Sequence, residues 1–381
     1  MIIAVDENVP AAREAFGQFG DVRPVDGRAL SRADLADVDA LVVRSVTRVD
    51  SALLEGTPVR FVGTATIGTD HLDLEWLRRA GVRVADAAGS NSRSVGEYVL
   101  AALLELRARG ALSVAGESIG IVGAGRIGTI VAAIGRALGM EVVEYDPPRA
   151  RRDRSFEGAD LARLLRCRVI TLHVPLTVGC ADPTWHLVDA AFLERMRSDA
   201  WLINTSRGAV VHGGDLHFAI RRGLIEGAVL DVWEREPDVP RELIEALALA
   251  TPHIAGYSLD GKLRGAEMIA DALGRYCGRA NLWSVGSVLP ERAGAIDLDG
   301  GLAPLDAARA AMLVAYDIAR DDAALRSILD LGDDGRRAAF DALRRTYPIR
   351  REARAHDVTG VSANAASLLR SLGFRVAPEA A

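Results

Sequence analysis

The chain has 381 residues, 49% hydrophobic and 26% charged, the composition of a globular protein of two or three domains. A net charge of −6 runs against a dedicated binder of nucleic acid or of anionic membranes, since either carries a basic excess. Cys167, Cys180 and Cys277 form no CxxC pair, the N-terminus MIIAVDENVP lacks a signal pattern, and no charge-free apolar run of about 18 residues occurs. The expectation is a cytoplasmic protein with no membrane span.

In chain order, β-branched runs at 2–5, 41–44, 59–64 and 82–86 read as strands, with helical stretches such as LEWLRRAG between them. This alternation predicts parallel βαβ units. Ser94 and Glu97 fit a capping box that opens the apolar helix VGEYVLAALLELRARG. A second series follows, with strands at 119–122, 141–146, 168–174, 200–204 and 228–233, then a helical segment over 258–279. Beyond Pro290, LDAARAAMLVAYDIARDD and NAASLLRSLGF read as helices, and RRTYPIRREAR as a solvated or interface edge. The tail does not read as a regulatory βαβ module. The expected fold is α/β, with two Rossmann-like doubly wound parallel-sheet domains and a small α+β C-terminal domain. The expected boundaries are 1–94 with 256–286 for the first domain, 95–255 for the second, and 287–381 for the third.

Gly123, Gly125 and Gly128 form G-x-G-x-x-G between an expected strand and helix, with Arg126 and Ile127 inside the loop. The first glycine permits the turn, the second admits a pyrophosphate, and the third allows helix–strand contact, while the helix N-terminus stabilises the anion. Asp146 ends the next strand 18 residues after Gly128, where an acid binds ribose hydroxyls and disfavours a 2′-phosphate, so NAD is the expected cofactor. Arg149, Arg151 and Arg152 lie just beyond and leave room for a phosphate.

Three further segments follow expected strands: NTSRG with Arg207, LDVWEREP with Asp231 and Glu236, and TPHIAGYS with His253. Oxidation of a 2-hydroxy acid needs a base for the hydroxyl proton, a carboxylate to orient it and a guanidinium for the substrate carboxylate. Histidine, glutamate and arginine meet those needs. Each alone reads more readily as structural than as catalytic, and six other histidines (71, 173, 186, 212, 217 and 356) leave the choice open; His173, at a strand end, is placed to line a cofactor cleft.

Taken in order, VGAGRIG, LHVPL, NTSRG, LDVWEREP and TPHIAG resemble the D-isomer-specific 2-hydroxyacid dehydrogenase family over about residues 1–285. The resemblance implies Arg207 as the substrate arginine, Glu236 as the acid partner, His253 as the acid–base group and Asp231 near the nicotinamide. A narrower likeness within that family rests on VRSVT, FVGTATIGTDHLD, NSRSVGEYVL and TPHIAGYSLDGKLRG. It implies a small phosphorylated hydroxy acid as substrate, Ser45, Thr66 and Tyr257 in contact with it, Gly256 against the cofactor, and a C-terminal homodimerisation domain. Arg44 and Arg93 are the first candidates for the phosphate, with surface ion pairing as the alternative. Val174 stands where the family commonly has threonine. The rival readings are a phosphoglycerate or hydroxypyruvate oxidoreductase, and an NAD-sensing corepressor on the same scaffold.

Overall fold

The structure, a computed structural model, describes residues 1–377 and divides into two compact units. One unit comprises Met1–Asn91 with Tyr257–Glu291, and the other Ser92–Gly256 with Arg292–Ala381.

In the first unit β1 (Ile2–Asp6), β2 (Asp21–Val25), β3 (Ala40–Val43), β4 (Phe61–Thr64) and β5 (Arg83–Asp86) form a parallel sheet in the order β2-β1-β3-β4-β5. Strand β2 escaped the sequence reading because DVRPV is half polar and contains proline, which suits an edge. The chain steps from β1 outward to β2 and returns on the other side as β3. That reversal opens a crevice at the carboxyl ends of β1 and β3, where open α/β sheets bind ligands. Strands β3 and β4 are buried at every residue, so both faces need cover. The helix Leu259–Tyr276, capped by Ser258, covers one face by packing Ala266, Ile269, Ala270 and Leu273 with Ile3, Val5 and Phe61.

In the second unit β6 (Ser118–Val122), β7 (Glu141–Tyr145), β8 (Val169–Leu172), β9 (Trp201–Asn204), β10 (Gly227–Leu230) and β11 (Leu249–Ala250) form a parallel sheet ordered β11-β10-β9-β8-β6-β7. Here the order reverses between β6 and β8, which places residues 123–128 at the crevice. The preceding helix is Ser92–Ala108, and Val95–Leu106 is buried throughout. This corrects the expected capping box. Ser94 and Glu97 lie inside the helix, where the Ser94 hydroxyl donates to Glu352 Oε1 and Glu97 Oε1 accepts from the Ala353 amide, each at 2.9 Å. Side chains that cap an exposed turn elsewhere form a buried polar junction here.

The tail has the expected mix of helices and strands but departs from the reading that it holds no βαβ unit. It contains a parallel three-stranded sheet, β12 (Gly294–Asp297), β13 (His356–Thr359) and β14 (Arg375–Val376), linked through helices. A βαβ arrangement is therefore present; its strands were too short and too polar to read. The helix expected over 305–322 breaks into Pro304–Ala315 and Ile318–Arg326, because Asp317 caps the second through the Ala319 and Arg320 amides. RRTYPIRREAR is not a solvated edge throughout. The Arg350 guanidinium is buried 3.8 Å over the Tyr316 ring and donates to Ser94 O. Leu325, Ile328, Leu329 and Phe340 join the core of the six-stranded sheet. Asp322 accepts from the Ala250 amide at 2.8 Å and so occupies the edge of β11.

Candidate active site

The three glycines of the loop 123–128 stand in three different surroundings. Gly123 has φ +92°, and a Cβ there would lie 2.6 Å from His173 O. A Cβ on Gly128 would lie 2.0 Å from Gly123 O, so the helix Arg126–Ala137 lies against the turn only without one. A Cβ on Gly125, which caps that helix, would meet nothing within 4 Å. This open approach to a helix N-terminus fits a pyrophosphate. At the end of β7, Asp146 accepts from the Ala124 amide at 3.0 Å and from the Arg149 amide at 2.9 Å, which ties the acid to the loop. Arg149 donates to Ala124 O at 2.7 Å and lies over Phe156. His173 is bonded to Thr171 at 3.0 Å, and burial draws its pKa down to about 3, so the ring stays neutral and is unsuited to carry a proton.

The catalytic candidates sit on three loops after β9, β10 and β11. Asn204, fully buried, donates to Arg207 O at 3.0 Å and accepts from the Ser206 amide, which fixes the Arg207 loop. A Cβ on Gly208 would lie 1.9 Å from the carbonyl carbon of Trp233, so this loop abuts the Asp231 loop directly. Asp231 is 1% exposed, and its carboxylate accepts from the Thr251 hydroxyl and from the Ile254 and Ala255 amides at 2.7–2.9 Å. Burial raises its pKa, and His253 together with those donors offsets part of the rise. With Asp231 O accepting from the His253 amide at 2.7 Å, the residue holds His253 at φ +57°, a conformation that disfavours a side chain.

Glu236 completes the group. Its Oε2 lies 2.7 Å from His253 Nδ1, and its Oε1 accepts from the Trp233 amide at 2.8 Å. Burial pushes the Glu236 carboxyl up, but the His253 charge and hydrogen bond, with Arg344, outweigh it and hold the group below its ordinary value. Arg344 belongs to the helix Asp333–Arg345, and its Nη1 is 3.8 Å from Glu236 Oε2. Nothing in the sequence pointed to Arg344, which stands 108 residues from its partner. Arg350, from the same tail, reaches Ala255 O at 3.4 Å. A second close pair, His186 Nε2 with Glu234 Oε1 at 2.7 Å, shows that a histidine–glutamate contact alone does not identify a catalytic base. What sets His253 apart is the buried Asp231 under its loop.

In the first unit Ser45 follows β3 and Thr66 follows β4, with the Thr66 hydroxyl 2.8 Å from that of Thr64. Arg44 pairs with the buried Asp6 at 2.9 Å, across the β1/β3 reversal. Tyr257 carries Lys262 over its ring at 4.4 Å. Arg93 belongs to the other unit, where it donates to Leu372 O at 3.0 Å and lies 3.5 Å from Glu97. Among the described residues no group of three or more His, Cys, Asp or Glu is arranged to hold a metal, and no helix is long and apolar enough to cross a membrane.

Residues 93–255 match the family described as the NAD binding domain of D-isomer specific 2-hydroxyacid dehydrogenases, and residues 289–373 match a domain of unknown function, DUF3410. Among solved structures, the TT0316 protein of Thermus thermophilus is 28% identical with a TM-score of 0.64, over 75% of this chain and all of that one. D-lactate dehydrogenase of Aquifex aeolicus, complexed with NAD and lactic acid, shares the fold at 24% identity and a TM-score of 0.59, over 73% of this chain and 96% of that one. Fold and site together define an NAD-dependent 2-hydroxyacid dehydrogenase. Erythronate-4-phosphate dehydrogenase of Salinibacter ruber is 49% identical over 94% of each chain, and that of Pseudomonas aeruginosa 44% identical over 99% of this chain and 100% of its own. The chain belongs to the erythronate-4-phosphate dehydrogenase family.

Proposed function

We propose that this chain oxidises 4-phospho-D-erythronate to 3-hydroxy-2-oxo-4-phosphobutanoate with NAD, a step in pyridoxal 5′-phosphate biosynthesis. The observation that carries the reading is the 2.7 Å contact of His253 Nδ1 with Glu236, on a loop held by Asp231. With Nδ1 engaged, Nε2 is the nitrogen that takes the hydroxyl proton, and Glu236 stabilises the imidazolium that results. NAD, when bound, supplies the acceptor for the hydride that leaves carbon 2. Arg207 holds the substrate carboxylate, and Ser45, Thr66 and Tyr257 contact the rest of the molecule. The glycine loop and Asp146 hold the cofactor, with Gly256 beside it; Asp231, almost wholly buried, serves it through the loop it supports.

The same reading places the protein in the cytoplasm as a homodimer, with 287–381 as a third, self-associating domain; the exposed Val314, Leu331 and Ile349 there suit such a surface. The parallel C-terminal sheet keeps 3-phosphoglycerate as the rival substrate, because a βαβ tail no longer separates the two readings. Steady-state assays with both acids decide between them. The expected result is a higher kcat/KM for the erythronate, and preference for 3-phosphoglycerate overturns the assignment.

A further inference from the structure

The sequence contains a single lysine, Lys262, beside 45 arginines. A chain that places arginine at every other permanently cationic side chain keeps an ammonium at one position, and the two are unlike in shape, hydration and donor geometry. The structure makes this position singular as well. Lys262 lies in the first turn of the helix Leu259–Tyr276 and is half-buried. Among the described residues its ammonium makes no hydrogen bond and no ion pair, and it lies 4.4 Å from the centroid of the Tyr257 ring.

Its place in the fold is that of a ligand group. A Cβ on Gly265, one turn further along the helix, would lie 2.9 Å from Ala65 O, just past the end of β4. The helix start therefore stands at the carboxyl edge of the first sheet. There the β1/β3 reversal places Asp6 and Arg44, and β3 and β4 lead into Ser45 and Thr66. Burial and the neighbouring Arg44 both draw the Lys262 ammonium below its ordinary pKa. Arg44 at this edge is paired with the buried Asp6, whereas the Lys262 ammonium has no carboxylate partner among the described residues. An unpaired ammonium partly withdrawn from water beside a second cation is unfavourable until an anion arrives.

We propose that Lys262, together with Arg44, is the phosphate-recognition site, the ammonium binding the phosphoryl group of the substrate. The proposal rests on the reading of that substrate as a phosphorylated 2-hydroxy acid. An ammonium is a compact charge with three rotatable donors, suited to a tetrahedral dianion, whereas the planar carboxylate suits the guanidinium of Arg207. Lys262 then sets specificity between phosphorylated and unphosphorylated acids.

The test uses the full-length, NAD-loaded protein with Lys262→Met, Lys262→Gln and Lys262→Arg. Three readouts are kcat/KM for 4-phosphoerythronate, kcat/KM for D-erythronate, and calorimetric binding of inorganic phosphate. Loss of one charge-assisted contact predicts that Met and Gln lower kcat/KM for the phosphorylated acid about 100-fold, mainly through KM. D-erythronate turnover stays within about threefold, phosphate binding weakens at least about tenfold, and Arg restores part of each loss. An equal loss on both acids assigns Lys262 to another part of the substrate or to the fold, and overturns the proposal. If the wild-type protein oxidises neither acid, the functional reading fails on its own, and the phosphate titration still decides. Binding lost in both neutral variants supports the site, whereas binding unchanged by them, or absent from the wild-type protein, overturns it.

Discussion

His253 and Lys262 stand nine residues apart in the sequence and in different units, and they are prepared in opposite ways. The loop of His253 is answered from within: Asp231 takes up the Ile254 and Ala255 amides, Glu236 engages the imidazole, and Arg344 stands behind Glu236. The ammonium of Lys262 is answered by an aromatic ring alone. The difference fits the roles proposed for them. A proton-transfer group works best when its geometry is set before substrate arrives. A charge that recognises an anion retains its strength by having no partner in the protein.

The largest expected effect on that contrast comes from His253→Ala, which should lower kcat by about 10³–10⁴ while NADH binding, followed by fluorescence, stays within a few-fold. Loss of both would return the residue to a purely structural role. Next is Glu236→Gln, expected to cost about 10²-fold in kcat because the amide cannot stabilise the imidazolium. In the wild-type protein Glu236 is held below the ordinary carboxyl range, so it stays ionised from that range upward and adds no acid limb above it. An acid limb that Glu236→Gln abolished would contradict this.

Smaller still is Arg344→Gln. It removes one of the influences holding Glu236 down, so any Glu236 titration should move toward higher pH. A partly screened ion pair is worth about 1 kcal/mol or less, so kcat/KM should fall by no more than about fivefold at neutral pH. An unchanged pH profile would leave Arg344 as packing alone.

The last effect concerns stability and leaves the rate unchanged. Burial raises the Glu97 pKa to about 7, with Arg350 lowering and Glu352 raising it. The folded state thus holds a proton that the unfolded chain releases from about pH 4.3. The associated stability is complete below the unfolded value and lost as pH rises through about 7. Glu97→Gln keeps the acceptor for the Ala353 amide and should flatten this fall, measured as the urea midpoint between pH 5 and 8. An unaltered slope would sink the idea.

Much of the architecture was legible in the sequence. Strand–helix alternation predicted parallel sheets, and the loop spacing assigned distinct roles to Gly123, Gly125 and Gly128 that the open and closed approaches at those glycines support. The tail was legible only in its long helices. Strands of two to four residues carry too little pattern, as with HDVT of β13, and a break such as Tyr316–Asp317 is hidden inside a continuous apolar period. Ser94 and Glu97 misled because one pair of residue types serves an exposed cap and a buried junction equally well.

The sequence by itself determined most of the local elements and singled out candidate reacting groups through a family resemblance, because periodicity, turn chemistry and motif order act over a few neighbouring positions. It held the lone lysine in plain view. Only the tertiary structure decided which charges are answered and which are not. Pairing Glu236 with Arg344, Glu97 with Glu352 and Arg350, and Arg44 with Asp6 joins residues 38 to 255 positions apart, and no local rule reaches that far.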